Sequence, residues 1–190
     1  MNFAKSFASL GLLAALALSG SANAALLTGS TGTHQVTDYS GAGIVSFDLD
    51  LRDFSATTLG FVLEQGDLGG PLSLNALVRN LAGAGIERFT FRLQGIGFAG
   101  AGSVTPAFGT LGRVEAGEFA AAIDFAAPEY AEFQFGNVLG GGRDWLLDTA
   151  GLRAGDAFTI TASVPEPSTS LLMLPMLCLA GLVAARRRQR

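Results

Sequence analysis

Carboxylate side chains are the main candidates for chemistry, because the chain contains only one histidine and one cysteine. Asp48, Asp50 and Asp53 lie close together and could offer Ca²⁺ the oxygen ligands that it prefers. Glu115 and Glu118 could form a glycosidase-type pair with another carboxylate. Simpler interpretations are favoured: Asp48 and Asp50 fall on the solvated face of a predicted strand and Asp53 on the other face, and acids in loops are common. We therefore predict no metal site.

The remaining candidates for chemistry are equally isolated. His34 is the only possible base for a Ser-His-Asp triad, but it lies near the predicted mature N-terminus, where chains often fray, so we expect it to be exposed and non-catalytic. Trp145 could stack on a sugar, although a core position in a strand is favoured. Residues 95–100 match G-x-G-x-x-G, but a nucleotide site needs a following helix, and residues 103–106 do not begin one. We predict no enzyme and no cofactor.

Strands separated by turns must position these side chains. Apolar and polar residues alternate with the period of a half-buried strand, and no segment has a convincing helical period. The alternating segments are residues 45–52, 88–94, 132–135 and 157–164, and residues 59–63, 72–78 and 119–125 are further strands. Seven to nine short strands between glycine-rich turns predict an all-β fold, an antiparallel β-sandwich of jelly-roll-like type. Most of the twelve phenylalanines in residues 25–164 should fill its core.

Charge is distributed unevenly along the 190 residues. Residues 25–164 contain seven arginines, no lysine and fifteen acidic side chains, a formal charge of −8. Such a domain should not bind nucleic acid, which requires a basic surface. Its lack of cysteine excludes a disulfide framework, so the core alone must hold it together.

Residues 1–24 have the features of a secretory signal peptide. Lys5 is followed by the apolar residues 10–18, and Ala22 and Ala24 form an A-x-A cleavage site. Export through the Sec machinery and cleavage by signal peptidase should leave a mature chain that begins at Ala25.

Residues 165–190 form a second targeting segment. The tripeptide Pro165, Glu166 and Pro167 precedes an apolar stretch, residues 171–185, predicted to be a short transmembrane helix. A basic cluster closes the chain and should remain cytoplasmic, so the body of the protein must lie on the far side of the inner membrane. This cluster consists of Arg186, Arg187, Arg188 and Arg190.

The order of Pro-Glu-Pro, short apolar helix and arginine cluster resembles the PEP-CTERM sorting signal of proteins exported by Gram-negative bacteria that make exopolysaccharide. The resemblance implies that exosortase, a membrane protease, recognises Pro165, Glu166 and Pro167 and cleaves near them. The inner membrane would then hold the chain only transiently, before its delivery to the cell surface or the extracellular matrix.

Three functions remain open for residues 25–164. The first is a noncatalytic structural or adhesive role in an exopolysaccharide matrix or biofilm. The second is a carbohydrate- or calcium-binding module, and the third, least favoured, is a secreted glycan hydrolase. A fold alone does not separate these functions. A cleft containing two acids and an aromatic ring would favour the second or the third.

Processing at both ends can be tested by mass spectrometry of the mature protein from its own host. We expect a chain that begins at Ala25 and has lost the residues beyond the Pro-Glu-Pro region. An intact tail ending in Arg190 would contradict processing and indicate a permanent anchor.

Overall fold

The computed structural model describes residues 25–165, and these residues form an all-β fold. The predicted signal peptide, the predicted helix over residues 171–185 and the terminal arginines lie outside the described residues. Within residues 25–165, no helix has the length and apolarity to cross a membrane. The thirteen strands are β1 Leu26–Thr31, β2 Gln35–Asp38, β3 Ile44–Leu51, β4 Thr57–Val62, β5 Leu72–Asn80, β6 Ile86–Gln94, β7 Gly97–Gly100, β8 Val104–Pro106, β9 Thr110–Ala116, β10 Ala120–Glu129, β11 Glu132–Phe135, β12 Trp145–Asp148 and β13 Ala157–Ser163.

These strands form two sheets. The first sheet has the order β1-β4-β13-β6-β10-β9, and all of its pairings are antiparallel. The second has the order β2-β3-β5-β11-β8, and β12 joins it by pairing with β5 and β7. One pairing departs from the predicted antiparallel arrangement, because β3 and β5 run parallel from Ile44 with Ser73 to Leu51 with Asn80. The chain between them, residues 52–71, crosses to the other sheet through β4 and returns.

The seven segments predicted as strands are all strands in the structure. Of the six additional strands, β12 was indicated only by the strand position favoured for Trp145, and β1, β2, β7, β8 and β9 were not predicted, because they are short or have no regular apolar period. Strands β1, β2 and β9 are also largely exposed and have no regular apolar period. They complete sheets whose cores are built by other strands, so the apolar alternation that reveals a strand is absent from them.

A nine-residue excursion of the chain separates β11 from β12, which pair with successive parts of β5 in the second sheet. Phe135 of β11 pairs with Ala76, and Leu74, two positions away on β5, pairs with Trp145 of β12, so residues 136–144 leave the sheet between the two strands. The excursion brings the two rings together, stacked with centroids 4.3 Å apart. Gly136 has φ +87°, and a Cβ there would lie 2.2 Å from Oδ1 of Asn75, so only glycine fits at the start of the excursion.

Aromatic rings join the two sheets across a single core. Phe91 of the first sheet packs edge to face on Phe47 and Phe135 of the second, with centroids 6.2 Å and 4.7 Å apart. Phe89 packs in the same way on Phe133, at 5.1 Å. Eight of the twelve phenylalanines in residues 25–164 are buried, as predicted: Phe47, Phe61, Phe89, Phe91, Phe125, Phe133, Phe135 and Phe158. Because residues 25–165 contain no cysteine, this packing replaces covalent cross-links.

Truncating one of these rings should therefore destabilise the whole domain. We expect Phe91→Ala to lower the free energy of unfolding by about 3–5 kcal/mol, because it removes contacts to both sheets and leaves a cavity. Phe108→Ala is the matched control, since that ring is 82% exposed, and it should change stability by less than about 0.5 kcal/mol. Urea unfolding of both variants measures the difference. Equal losses would contradict a core-centred source of stability.

Candidate functional site

The first candidate site is a cluster around His34, which the fold brings together with Asp53 and Ser55. The prediction that His34 is exposed is wrong: only 8% of the residue is accessible, because the turn after β3 packs over it. His34 Nε2 lies 3.5 Å from the Ser55 hydroxyl and 3.7 Å from Asp53 Oδ1. These are the residue types of a Ser-His-Asp triad.

The hydrogen bonds of this cluster do not have the arrangement of a triad. His34 Nδ1 accepts the backbone N–H of Arg52 at 3.3 Å, and Nε2 donates to the carbonyl oxygen of Ser55 at 2.9 Å. These partners use both ring nitrogens, so the imidazole has no lone pair left to activate the Ser55 hydroxyl. That hydroxyl donates directly to Asp53. The cluster instead closes the turn between β3 and β4.

Asp53 strengthens this turn as an ionised carboxylate. The Ser55 hydroxyl, the Ser55 backbone N–H and the Thr33 hydroxyl all donate to it and lower the pKa of Asp53 below its usual value. Because the group faces water, these bonds order the surface turn and contribute little to the core.

The suggested calcium ligands Asp48 and Asp50 are occupied by an arginine. Arg79 on the neighbouring strand β5 binds Asp48 with one guanidinium nitrogen and lies 2.7 Å from Asp50 Oδ1 with the other. The side chains of Asp48 and Asp50 are only 12% and 16% exposed. They are therefore less accessible than the solvated strand face predicted from the sequence. Asp53 lies apart, in the turn with His34. Within residues 25–165, no group of three or more His, Cys, Asp or Glu side chains could hold a metal ion.

Glu115 and Glu118, the suggested glycosidase acids, lie in different parts of the fold. Glu115 lies on the exposed face of the first sheet, 2.8 Å from Arg113 and 4.0 Å from Arg88. Glu118 lies in the turn between β9 and β10, where its carbonyl oxygen accepts the backbone N–H of Phe98 at 2.6 Å. The structure therefore separates Glu115 from Glu118 and gives Glu118 another carboxylate neighbour, Asp148.

Glu118 and Asp148 line one cavity, which we call the end groove. Its volume is about 220 Å³, and its lining includes residues 95–98, Phe119 and Leu152. A second cavity of about 520 Å³ adjoins it and shares Asp148 and Leu152. Phe119 is 53% exposed beside the two acids. The end groove therefore combines two carboxylates with an accessible aromatic ring.

The floor of the end groove is the stretch that matches G-x-G-x-x-G. As predicted, no helix follows it: residues 97–100 are strand β7, and the next element is strand β8. A Cβ on Gly97 would fit tightly, 3.2 Å from the carbonyl oxygen and 3.3 Å from Cγ of Glu118, with the Phe119 ring at 3.5 Å. Its missing side chain makes room for the two residues that form the wall of the groove.

Trp145 is a core residue, as favoured from the sequence. It is fully buried in β12, and its indole N–H donates to the carbonyl oxygen of Ser103 at 3.2 Å. Its ring is therefore unavailable for stacking on a sugar. Phe119 is the exposed ring in the groove. Its exposure could not be predicted, because a phenylalanine in an alternating segment indicates a core position.

A second polar cluster, centred on Glu129, was also missed. Glu129 is fully buried, no cation among residues 25–165 pairs with it, and its carboxylate accepts the backbone N–H groups of Phe108, Gly109 and Ala131 at 2.8–2.9 Å. Burial by itself would raise the pKa of Glu129, but these hydrogen bonds outweigh it and lower the pKa below the usual value. Glu129 thus holds the loop before β9 against the turn after β10.

The predicted sorting segment begins where the folded body ends. Ser163 is the last residue of β13, and Thr90 of β6 lies 2.7 Å from its hydroxyl. Val164 is buried and Pro165 is exposed, so the chain leaves the body between them. Glu166, Pro167 and the terminal arginines lie outside the described residues.

Comparison with protein-family models gives one match. The model of the PEP-CTERM protein-sorting motif covers residues 163–188. The chain carries a PEP-CTERM protein-sorting motif. This motif implies export, processing by exosortase and delivery to the cell surface or the exterior. Comparisons with curated proteins and with solved structures found no match.

The PEP-CTERM motif overlaps the folded body at Ser163 and Val164. Ser163 is held by sheet pairing and Val164 by burial, so among the described residues of the motif only Pro165 is exposed. The sorting motif therefore directly abuts the β-domain.

The buried carboxylate of Glu129 should make stability depend on pH. Because its pKa is lower in the folded chain than in the unfolded chain, its contribution is present above about pH 4.5 and is lost as the pH falls through the folded value. We expect Glu129→Gln to cost about 1–3 kcal/mol at pH 7, because a side-chain N–H₂ would face backbone donors. The difference from the parent should shrink at low pH. Denaturant unfolding across pH 3–7 tests this, with the exposed Glu87→Gln as control. A difference that does not vary with pH would contradict the role of the carboxylate.

Proposed function

We propose that the mature protein is a noncatalytic component of the cell envelope or extracellular matrix that binds exopolysaccharide. The PEP-CTERM motif supports export and sorting by exosortase, and the end groove supports the binding role. In this proposal the Sec machinery and signal peptidase act first, the inner membrane then holds the chain transiently, and exosortase releases it. The finished protein would have a structural or adhesive role in a biofilm.

The observation that carries the binding role is that exposed Phe119 lines the same cavity as two carboxylates. A sugar ring has an apolar C–H face that an exposed aromatic ring can cover, and its hydroxyl groups donate to carboxylate oxygens. Glu118 and Asp148 reach the groove from two different elements, the β9–β10 turn and β12, and their carboxylates would accept hydrogen bonds from the sugar hydroxyls. The open shape of the groove suits a polymer that enters and leaves along the surface.

The negative charge of the domain favours a neutral glycan over an anionic one as the ligand. The domain has a formal charge of −8, and both charged side chains that line the groove are acidic. An anionic polysaccharide would be repelled at low ionic strength, whereas a neutral one would not. We therefore propose a neutral exopolysaccharide as the ligand.

We extend the proposal to the finer classification of the fold. Two sheets packed face to face around one core are the layers of a β-sandwich, and we propose a jelly-roll-like order modified by the parallel pair β3–β5. Such a scaffold exposes loops at its two ends, and the groove lies among the loops of one end.

Binding can be tested on the mature protein with neutral and acidic exopolysaccharide fractions from the host. We expect the neutral fraction to bind, and Phe119→Ala to weaken the affinity about fivefold or more through the lost ring contact. Tyr39→Ala is the control, because Tyr39 is similarly exposed but does not line the groove. Equal affinities for Phe119→Ala and the parent would contradict binding in the groove.

The same samples discriminate the alternatives. Release of new reducing ends from the neutral fraction, lost in Glu118→Gln, would indicate a glycan hydrolase. A rise in the melting temperature with millimolar calcium would indicate the calcium-binding alternative.

A further inference from the structure

Three loops at the end opposite the groove expose apolar side chains. Leu81 is 58% exposed, Phe108 is 82% exposed and Tyr130 is 63% exposed. We call these three residues with their loops the apolar tip. The first two loops are residues 81–85 and 107–109, and the third comprises the end of β10 and the turn that follows it, residues 126–131.

The apolar tip exposes no charge, although the domain as a whole has a formal charge of −8. Its loops contain leucine, phenylalanine, tyrosine, proline, alanine and glycine, and their only charged residue, Glu129, is fully buried. Large exposed apolar side chains that lie close together mark contact surfaces in proteins.

The tip is also held rigid from inside. The Glu129 carboxylate accepts backbone N–H groups of the second and third loops, as described above. The Asn80 side-chain amide donates to Ala84 O at 2.7 Å in the first loop and to Glu129 O at 3.0 Å in the third. A Cβ on Gly85 would lie 2.8 Å from the Tyr130 ring, so these two loops are in direct contact. Preorganised side chains lose little conformational entropy when they bind.

The chain leaves the body on the same side as the tip. Ser163 pairs with Thr90 of β6, and four residues earlier Ile86 pairs with Glu129 of the third tip loop. Four residues of strand span about 13 Å, so the tip extends beyond the point of exit by roughly that distance. Gly95, at the other end of β6, lines the end groove. The tip and the groove therefore lie at opposite ends of one strand.

The length of the chain beyond Pro165 limits how far the body can stand from a membrane. Six residue steps separate Pro165 from Leu171, where the predicted membrane segment begins, and fully extended they span at most about 22 Å. A folded body on such a short tether must place its exit side against the bilayer surface, and the tip extends in that direction.

We propose that, while the chain is anchored, the apolar tip inserts into the interfacial region of the inner membrane on its non-cytoplasmic face. Aromatic and apolar side chains are favoured in that region, and the absence of tip charges avoids a desolvation cost. The inserted tip would hold the Pro-Glu-Pro segment at the membrane surface and direct the end groove away from it. This inference rests on the membrane anchoring in the proposed function.

The experiment uses the uncleaved full chain in vesicles of phosphatidylethanolamine and phosphatidylglycerol. With Cys178→Ser as background, an environment-sensitive fluorophore is placed at Phe108→Cys, and in the control at Tyr39→Cys, a similarly accessible site at the groove end. We expect the label at position 108 to be blue-shifted and quenched by nitroxide lipids, and the label at position 39 to be quenched by aqueous iodide. Melting curves establish that both labelled chains are folded.

The possible outcomes separate the two proposals. If the chain does not float with the vesicles, the anchoring fails, and the proposal for the tip fails with it. If it floats but iodide reaches both labels equally, only the proposal for the tip is overturned. If the shift at position 108 grows with the protein-to-lipid ratio, the tip contacts a second copy of the chain, which also overturns insertion into lipid.

Discussion

Contact between aromatic rings of the two sheets is the interaction on which the rest of the structure depends. Phe91 touches Phe47 and Phe135, and Phe135 in turn stacks on Trp145, so one ring network connects strands that are far apart in sequence. No disulfide can help, because residues 25–165 contain no cysteine. Apolar burial must therefore offset the whole entropy of ordering this domain. The end groove and the apolar tip are both formed by segments that this core supports.

The two ends of the domain differ in how their carboxylates are placed, buried at one end and exposed at the other. At the tip, Glu129 remains charged inside the protein because backbone N–H groups replace the water that it loses. At the groove, Glu118 and Asp148 remain accessible and keep their acceptor capacity for a ligand. The domain therefore has a rigid end beside the sorting motif and an open acidic end away from it.

Sequence periodicity predicted the strands that carry the core but not the strands that complete the sheets. Phe89 and Phe91 alternate with polar residues, and both are buried, as predicted. Strand β1 has no such signal because its sequence is rich in glycine, serine and threonine, and its pairing with β4 decides its conformation. His34 was predicted to be exposed because its neighbours in sequence are small and polar. The turn at Asp53 and Ser55, nineteen to twenty-one residues later, buries it.

The sorting motif, the all-β class and the acidity of the domain can be recognised in the amino-acid sequence. Each of these depends on residue order or composition within a short segment, so no folding is needed to detect them. The polar contacts, in contrast, depend on the tertiary structure. It brings Asp148 into the same groove as Glu118 and pairs Asp48 and Asp50 with Arg79. It also provides hydrogen-bond partners for both ring nitrogens of His34. Such pairs depend on strand register and loop closure between distant segments. A one-residue change of register would turn each side chain to the opposite face.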